Sequence, residues 1–376
     1  MPKAKHELFR RSPFLVCYWE RENLVFENYA LGKRTAAAPI ATELLNYLSG
    51  WRTPAAIFAH FPQYSPTSLR AAIRGLERHA LLQRSGRKEQ RAERAMAAWK
   101  NWNPTAGFFH FTGRDLPFEA DLVRIGRYME GLTHEKAMPV PVKRYSRAEQ
   151  TRLLPARESG EFPRVLTARR TWRRFAPGKL SFADLSTLLG LTFGVREWVT
   201  VPPLGKFAVK TSPSGGALHP IEAYVVARDV EGISPGIYHY DASSHRLELL
   251  RRRITRDRMS DYVMGQRWFS DACAFVVMTA VFTRTQWKYR FPRAYRVVLA
   301  ECGHLCQTFC LTATWLGLAP FCTMALADSK IDHDLGIDGV TEGALYVAGV
   351  GQVPKGVDWK TASLPEDPTG RKRRQK

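Results

Sequence analysis

The chain has 376 residues, 45% hydrophobic and 11% aromatic, which is enough for two cores and too apolar for an extended disordered chain. Its formal net charge of +21 implies attraction to an anion: nucleic acid, an acidic peptide, a phosphate-bearing cofactor or a membrane surface. No run approaches the roughly 18 apolar residues of a membrane helix, and residues 1–14 lack the apolar stretch of a secretory signal; a cytoplasmic location and reduced cysteines are expected.

In chain order, residues 24–84 read as two short strand-like pieces and then three helical segments at 39–48, 53–60 and 65–82, where apolar residues recur at helical spacing. Thr53-Pro54 and Ser65-Pro66 each supply an N-cap followed by a proline in the first turn. This winged-helix-like layout assigns residues 1–86 to a small N-terminal domain. On its third helix Arg70, Arg74 and Arg78 share one face, either a solvated surface or a contact for an anionic partner. Residues 87–155 read as a helical connector, with a basic helical stretch at 87–102, a loop holding Pro104 and Gly107, and a second helical piece at 118–130.

Residues 156–360 alternate helices and strands, the pattern of an α+β layered domain. A capped helix is expected at 181–193, strands at 221–227, 272–282 and 344–350, and a hairpin at 236–250. The long helix at 293–318 is apolar on most sides, so it is buried or sits at a subunit interface. The basic tail 361–376 is expected to be disordered. Cys302, Cys306 and Cys310 stand four apart on one helical face, a spacing that raises a metal site. No CxxC pair supports zinc, and free cysteine favours the interior, so the stripe reads as core and no metal is expected.

Four segments carry candidate chemistry. Arg169, Arg170, Arg173 and Arg174 surround Thr171, and guanidinium forks suit a phosphate or the pyrimidine edge of a flavin; a solvated basic run is the plainer reading. Pro213-Ser214-Gly215-Gly216 leads through His219-Pro220 into a strand, and paired glycines permit positive torsions and close approach of a flat ligand. Lys288 and Tyr289 lie among Trp287 and Phe291, where a lysine can be partly desolvated and a tyrosine can relay a proton. Residues 317–326, with Thr323 and Met324, either line an apolar ligand or cross the core.

In this order the segments, together with Pro235-Gly236-Ile237-Tyr238-His239-Tyr240-Asp241 and Gly303-His304 ahead of Gln307, resemble the nitroreductase superfamily. The likeness is to its azoline-oxidising, SagB-type dehydrogenases of ribosomal peptide maturation, and covers residues 164–352. The resemblance implies a central, mainly antiparallel sheet flanked by helices and a flavin mononucleotide (FMN) at a homodimer interface. Carried over residue by residue, Arg169, Arg170, Thr171 and Arg173 would hold the flavin or its phosphate. Pro213, Ser214, Gly215 and Gly216 would contact it, with Gln307, Thr323 and Met324 completing the site. Lys288 and Tyr289 match the catalytic Lys-Tyr pair. Threonine stands at 171 where serine is commoner, keeping the hydroxyl, and Ala325 stands where glycine is frequent. Lys355 reads as a surface lysine.

The implied reaction is oxidation of thiazoline or oxazoline rings to azoles in a precursor peptide, with a cyclodehydratase partner supplying the azoline. The N-terminal domain more loosely resembles leader-peptide recognition domains. Other readings are flavin-dependent reduction of dehydroamino acids, a small-molecule nitro or quinone reductase, and a redox-sensing DNA-binding regulator. Neither a membrane nor a nucleic-acid partner is expected.

Overall fold

The computed structural model describes residues 7–38, 40–86, 95–135, 140–143 and 149–357. Pro39, residues 87–94 of the expected basic helix and the tail 361–376 lie outside the described residues. In chain order, β1 (Phe9–Arg11), β2 (Leu15–Glu20), β3 (Asn23–Asn28) and β4 (Lys33–Ala36) precede α1 (Ile40–Tyr47), α2 (Pro54–His60), α3 (Pro66–Arg78) and β5 (Leu82–Arg84). Next come α4 (Thr105–Thr112), α5 (Leu122–Glu135), α6 (Glu161–Ala168), α7 (Phe182–Thr192), β6 (Glu197–Val201) and β7 (Gly205–Val209). They are followed by β8 (Ile221–Ala227), β9 (Gly236–Asp241), β10 (Arg246–Arg252), α8 (Arg256–Tyr262) and β11 (Ala274–Val281). The chain continues through α9 (Phe282–Lys288), α10 (Tyr295–Trp315), β12 (Ala319–Thr323), α11 (Asp328–Leu335) and β13 (Glu342–Gly351). Among the described residues no helix is long and apolar enough to cross a membrane.

The chain divides into two compact units that are not contiguous in sequence. The first groups the described residues of Met1–Arg114 with Phe282–Val298 and Val340–Glu342; the second holds Asp115–Val281, Leu299–Gly339 and the described residues of Gly343–Lys376.

In the first unit Thr53 and Ser65 cap α2 and α3 as their sequence context predicts, accepting from the amides of Ala56 and Ser68 at 3.2 and 3.1 Å. Each cap contributes about 1 kcal/mol. Helix α3 stops at Arg78 and does not reach 82: Ala80 adopts a left-handed φ of 55°, and Leu82 enters β5, which pairs antiparallel with β1. Strands β2, β3 and β4 form an antiparallel sheet. Leu44, Leu48, Ile57, Leu69 and Ile73 from the three helices share a core with Phe9 and Phe26. Arg70, Arg74 and Arg78 are exposed.

The first part of the stretch that reads as a connector is packed into the core of the first unit. Trp99 and Trp102 are fully buried, their indole nitrogens donating to the carbonyls of Val340 and Tyr289 at 2.6 and 3.0 Å. The Trp99 ring lies 4.8 Å from His110 and 4.7 Å from Phe282, and His110 Nδ1 is 2.8 Å from the Tyr295 hydroxyl. Two large aromatics anchor this segment, so it shows no amphipathic stripe to read. The expected loop at Pro104 and Gly107 is the first turns of α4. Gly107 belongs there because a Cβ would meet Asn103 Oδ1 at 2.0 Å.

The second unit has a six-stranded sheet ordered β10-β9-β8-β11-β13-β12, in which β10/β9, β9/β8, β8/β11 and β13/β12 are antiparallel. The α+β layering predicted for this region is present. Alternate residues of β11 point to opposite faces, and Phe275, Val276, Val277 and Met278 are all fully buried, so both faces of the sheet are covered. On one face Phe321 stacks on Phe269 at 3.9 Å beside α8 and α11. The stretch 317–326 contains edge strand β12, and an edge is where Pro320 can sit without breaking a ladder.

A cross-strand charge cluster gives the sheet a pH signature. His239 on β9 places Nδ1 2.8 Å from Glu248 of β10 and Nε2 3.2 Å from Glu222 of β8. Hydrogen bonding to Glu222 pushes its pKa up to about 9, with burial opposing and Glu248 assisting. The folded value stands above the unfolded one of ~6.5, so the contribution is fully present below about pH 6.5. It is lost as pH rises through about 9. In urea unfolding, His239→Gln should cost on the order of 2 kcal/mol at acidic pH, with the gap to wild type closing in alkali.

Candidate active site

The basic segment 169–174 leaves the end of α6, where Arg169 is the C-cap, and runs beside β12. The Trp172 amide donates to the Pro320 carbonyl and the Ala176 amide to that of Gln352, each at 2.9 Å. Phe175 turns inward, its ring so near Gly351 that a Cβ there would lie 2.5 Å from it. This pinning leaves Arg169, Arg170, Thr171 and Arg173 half-buried instead of spread over the surface. Arg170 donates to the carbonyls of Thr167 and Arg169 at 2.6 and 2.7 Å. The Arg173 guanidinium lies 6.0 Å from the Phe269 ring centroid, and burial pulls its pKa below the usual arginine value. Withdrawing guanidinium groups from water is costly, and an anion with several acceptor oxygens offsets that cost.

The second segment is held by α10. Ser214 Oγ donates to Glu301 Oε2 at 2.5 Å and accepts from the His219 amide at 2.9 Å. Glu301 is only 3% exposed, and its other oxygen lies 3.8 Å from His219 Nδ1. The Ser212 and Thr308 hydroxyls are 2.7 Å apart, and His304 Nδ1 is 3.3 Å from the Pro213 carbonyl. Glu301, His304 and Thr308 fall at i, i+3 and i+7, so one polar stripe of an otherwise apolar helix fixes the whole loop. Of the paired glycines, Gly216 takes the left-handed conformation, with φ 69°. Glu301 belongs to none of the sequence motifs; the available signal is a lone acid on a helix apolar on most sides.

Thr323 Oγ1 accepts from Gln266 Nε2 at 3.1 Å and from the Ala325 amide at 3.2 Å, while Met324 and Gln307 are exposed. Lys355 is exposed in its turn, in keeping with a surface lysine. The arginine segment is tied to β12 and the glycine segment to α10. These two elements meet at their cysteines, where the Sγ atoms of Cys306, Cys310 and Cys322 lie within 4.8 Å of one another.

Lys288 and Tyr289 belong to the first compact unit. Lys288 ends α9 with its Nζ 5.4 Å from the Tyr289 ring centroid. Its side chain is exposed, so the expected partial desolvation by aromatic neighbours is absent: Trp287 and Phe291 are themselves exposed. Tyr289 is fixed through its backbone, the amide donating to Thr285 and the carbonyl accepting from Trp102.

Residues 166–352 match the sequence profile described as the nitroreductase family. The Methanocaldococcus jannaschii protein MJ1384, named for the same family, is 30% identical over 184 residues, covering 88% of that protein and 49% of this chain. The chain belongs to the nitroreductase family. It is also similar to the trifolitoxin-processing protein TfxB of Rhizobium leguminosarum bv. trifolii, 33% identical over 174 residues, which cover 45% of this chain and 46% of that protein. The microcin B17-processing protein McbC of Escherichia coli is 30% identical over 146 residues, 38% of this chain and 53% of that protein. The chain thus spans about half the length of these two processing proteins. Every candidate residue from Arg169 to Met324 lies inside the nitroreductase-family match.

Proposed function

We propose that this nitroreductase-family chain is an FMN-dependent oxidoreductase that oxidises thiazoline or oxazoline rings to azoles in a ribosomally made peptide. The observation that carries the reading is the half-buried arginine segment pinned along β12, a donor set that fits a phosphate-bearing planar cofactor. The loop fixed by Glu301, with Gly216 in a left-handed conformation, supplies a closely approachable backbone. Similarity to relatives named for processing trifolitoxin and microcin B17 supports a peptide as the substrate.

Arg169, Arg170, Thr171 and Arg173 would hold the phosphate and the pyrimidine edge. Pro213, Ser214, Gly215 and Gly216 would line the ring, with Gln307, Thr323 and Met324 at its margin. FMN, when bound, supplies a two-electron sink. Lys288 Nζ or Tyr289 Oη would take the proton that the substrate ring gives up on its way to an aromatic azole. A second copy of the chain would complete the cofactor site, and a cyclodehydratase would supply the azoline.

The N-terminal domain would capture an acidic leader peptide, in keeping with the +21 charge and the exposed Arg70, Arg74 and Arg78. Such tethering raises the effective concentration of the core peptide at the flavin.

A thiazoline-containing peptide incubated in air with the purified protein tests the reaction. The expected result is loss of one hydrogen molecule per ring, with growth of azole absorbance. Turnover of nitroaromatics with an added reduced nicotinamide dinucleotide and an unchanged peptide would instead identify a small-molecule reductase.

A further inference from the structure

The long helix α10 presents Cys306 and Cys310 one turn apart, so their side chains project from one face. Edge strand β12 supplies the third sulfur. Its residues alternate between the faces of the sheet: Phe321 stacks on Phe269 on one side, and Cys322 points to the other. There the three Sγ atoms lie within 4.8 Å of one another. Cys306 and Cys310 are each 4% exposed, and the Tyr346 hydroxyl of the neighbouring strand β13 is 3.5 Å from Cys322 Sγ. Cys302, one further turn back on the helix and also buried, is not part of the triangle.

We infer that Cys306, Cys310 and Cys322 form a three-thiolate site for a thiophilic cation such as zinc, with the Tyr346 hydroxyl beside Cys322. Metal–sulfur bonds of about 2.3 Å place the sulfurs of such a site roughly 3.8–4.0 Å apart, so the observed triangle closes on a metal with shifts under about 1 Å. Softness of the ligands selects the metal class, since thiolates favour zinc and monovalent copper over magnesium or calcium. Three thiolates around a divalent ion leave one net negative charge in a buried place. The arginine segment, bonded to the same strand β12 through the Trp172 amide and the Pro320 carbonyl, supplies compensating positive charge. The helix stripe alone reads as core because the third ligand comes from a strand beyond the end of the helix, outside any CxxC spacing.

The test uses the full-length reduced protein carrying Cys17→Ala, which removes the exposed thiol. The protein is stripped with a chelator, then titrated with Zn²⁺ and, in parallel, with Co²⁺. One equivalent of zinc per chain is expected, a sulfur-to-cobalt charge-transfer band should appear, and the melting temperature should rise on loading. Cys322→Ser and Cys310→Ala should each weaken zinc binding at least about 10-fold. Cys302→Ala, an equally buried control, should bind as the parent does. Absence of stoichiometric binding would overturn the site. So would a cobalt band that survives Cys322→Ser and Cys310→Ala in folded protein, or one lost equally in Cys302→Ala.

Discussion

Replacing Lys288 with alanine is expected to lower kcat for azoline oxidation by about 10²–10⁴-fold, the usual contribution of a positioned general base. Because Lys288 is exposed at the end of α9, the same change should leave stability within roughly 0.5 kcal/mol. Bound flavin should be unchanged, which separates a proton-transfer role from a structural one. Tyr289→Phe keeps the ring that packs against Phe291 and the backbone bonds to Thr285 and Trp102, and removes only the hydroxyl. If Lys288 is the base and Tyr289 the relay, both variants lose kcat with KM nearly constant. If Tyr289→Phe keeps full activity, the lysine acts alone. Single-turnover reduction of the flavin by a thiazoline peptide measures the step directly.

Asp334→Ala should destabilise the second unit strongly, costing about 3 kcal/mol. The carboxylate is fully buried near the end of α11. It accepts from Arg258 Nε at 2.5 Å, from the Tyr262 hydroxyl at 2.6 Å and from Arg251, with His333 Nδ1 at 3.3 Å. Alanine would strand the buried Tyr262 hydroxyl and leave Arg258 without its partner, a desolvation penalty that exceeds the worth of one bond, while Arg251 and His333 reach water. Burial by itself would raise the carboxyl pKa, but the hydrogen bonds from Arg258, Tyr262, His333 and Arg251 outweigh it and hold the group well below the usual carboxylate range. The folded value is depressed, so the stabilisation is present above about pH 4 and disappears as pH falls further. Urea midpoints at neutral and acidic pH check both the size and the sign, and Asp334→Asn should recover part of the loss.

Much of this fold is legible in the sequence where burial is periodic or punctuation is strong. Strands β8 and β11 show as apolar runs interrupted only by Glu222 and Thr279 because both faces of the sheet are covered. The caps at Thr53, Ser65 and Ser181 mark α2, α3 and α7 because a side chain accepting from the first turn must be a short polar one. The β6–β7 hairpin stays hidden, since every residue of β6 is exposed and no alternation betrays it. Helix α4 hides behind Pro104 and Gly107, residues that usually signal loops.

The candidate site divides the same way. The arginine and glycine segments announce themselves by composition, whereas Glu301 and Cys322 matter through partners far away in the chain. Ser214 and Glu301 are 87 residues apart, a pairing no local pattern encodes. Lys288 shows the reverse limit: its aromatic neighbours suggest a desolvated amine, but they point to solvent and leave it exposed.

The visible absorption spectrum of the purified protein, recorded for the wild type and for Arg169→Ala/Arg173→Ala, tests the cofactor most directly. The wild type should carry flavin absorbance. The double variant should be colourless while its circular dichroism is retained, binding added FMN at least about 100-fold more weakly. A colourless wild type that takes up no added FMN, or a folded double variant that stays as yellow as its parent, would contradict the account.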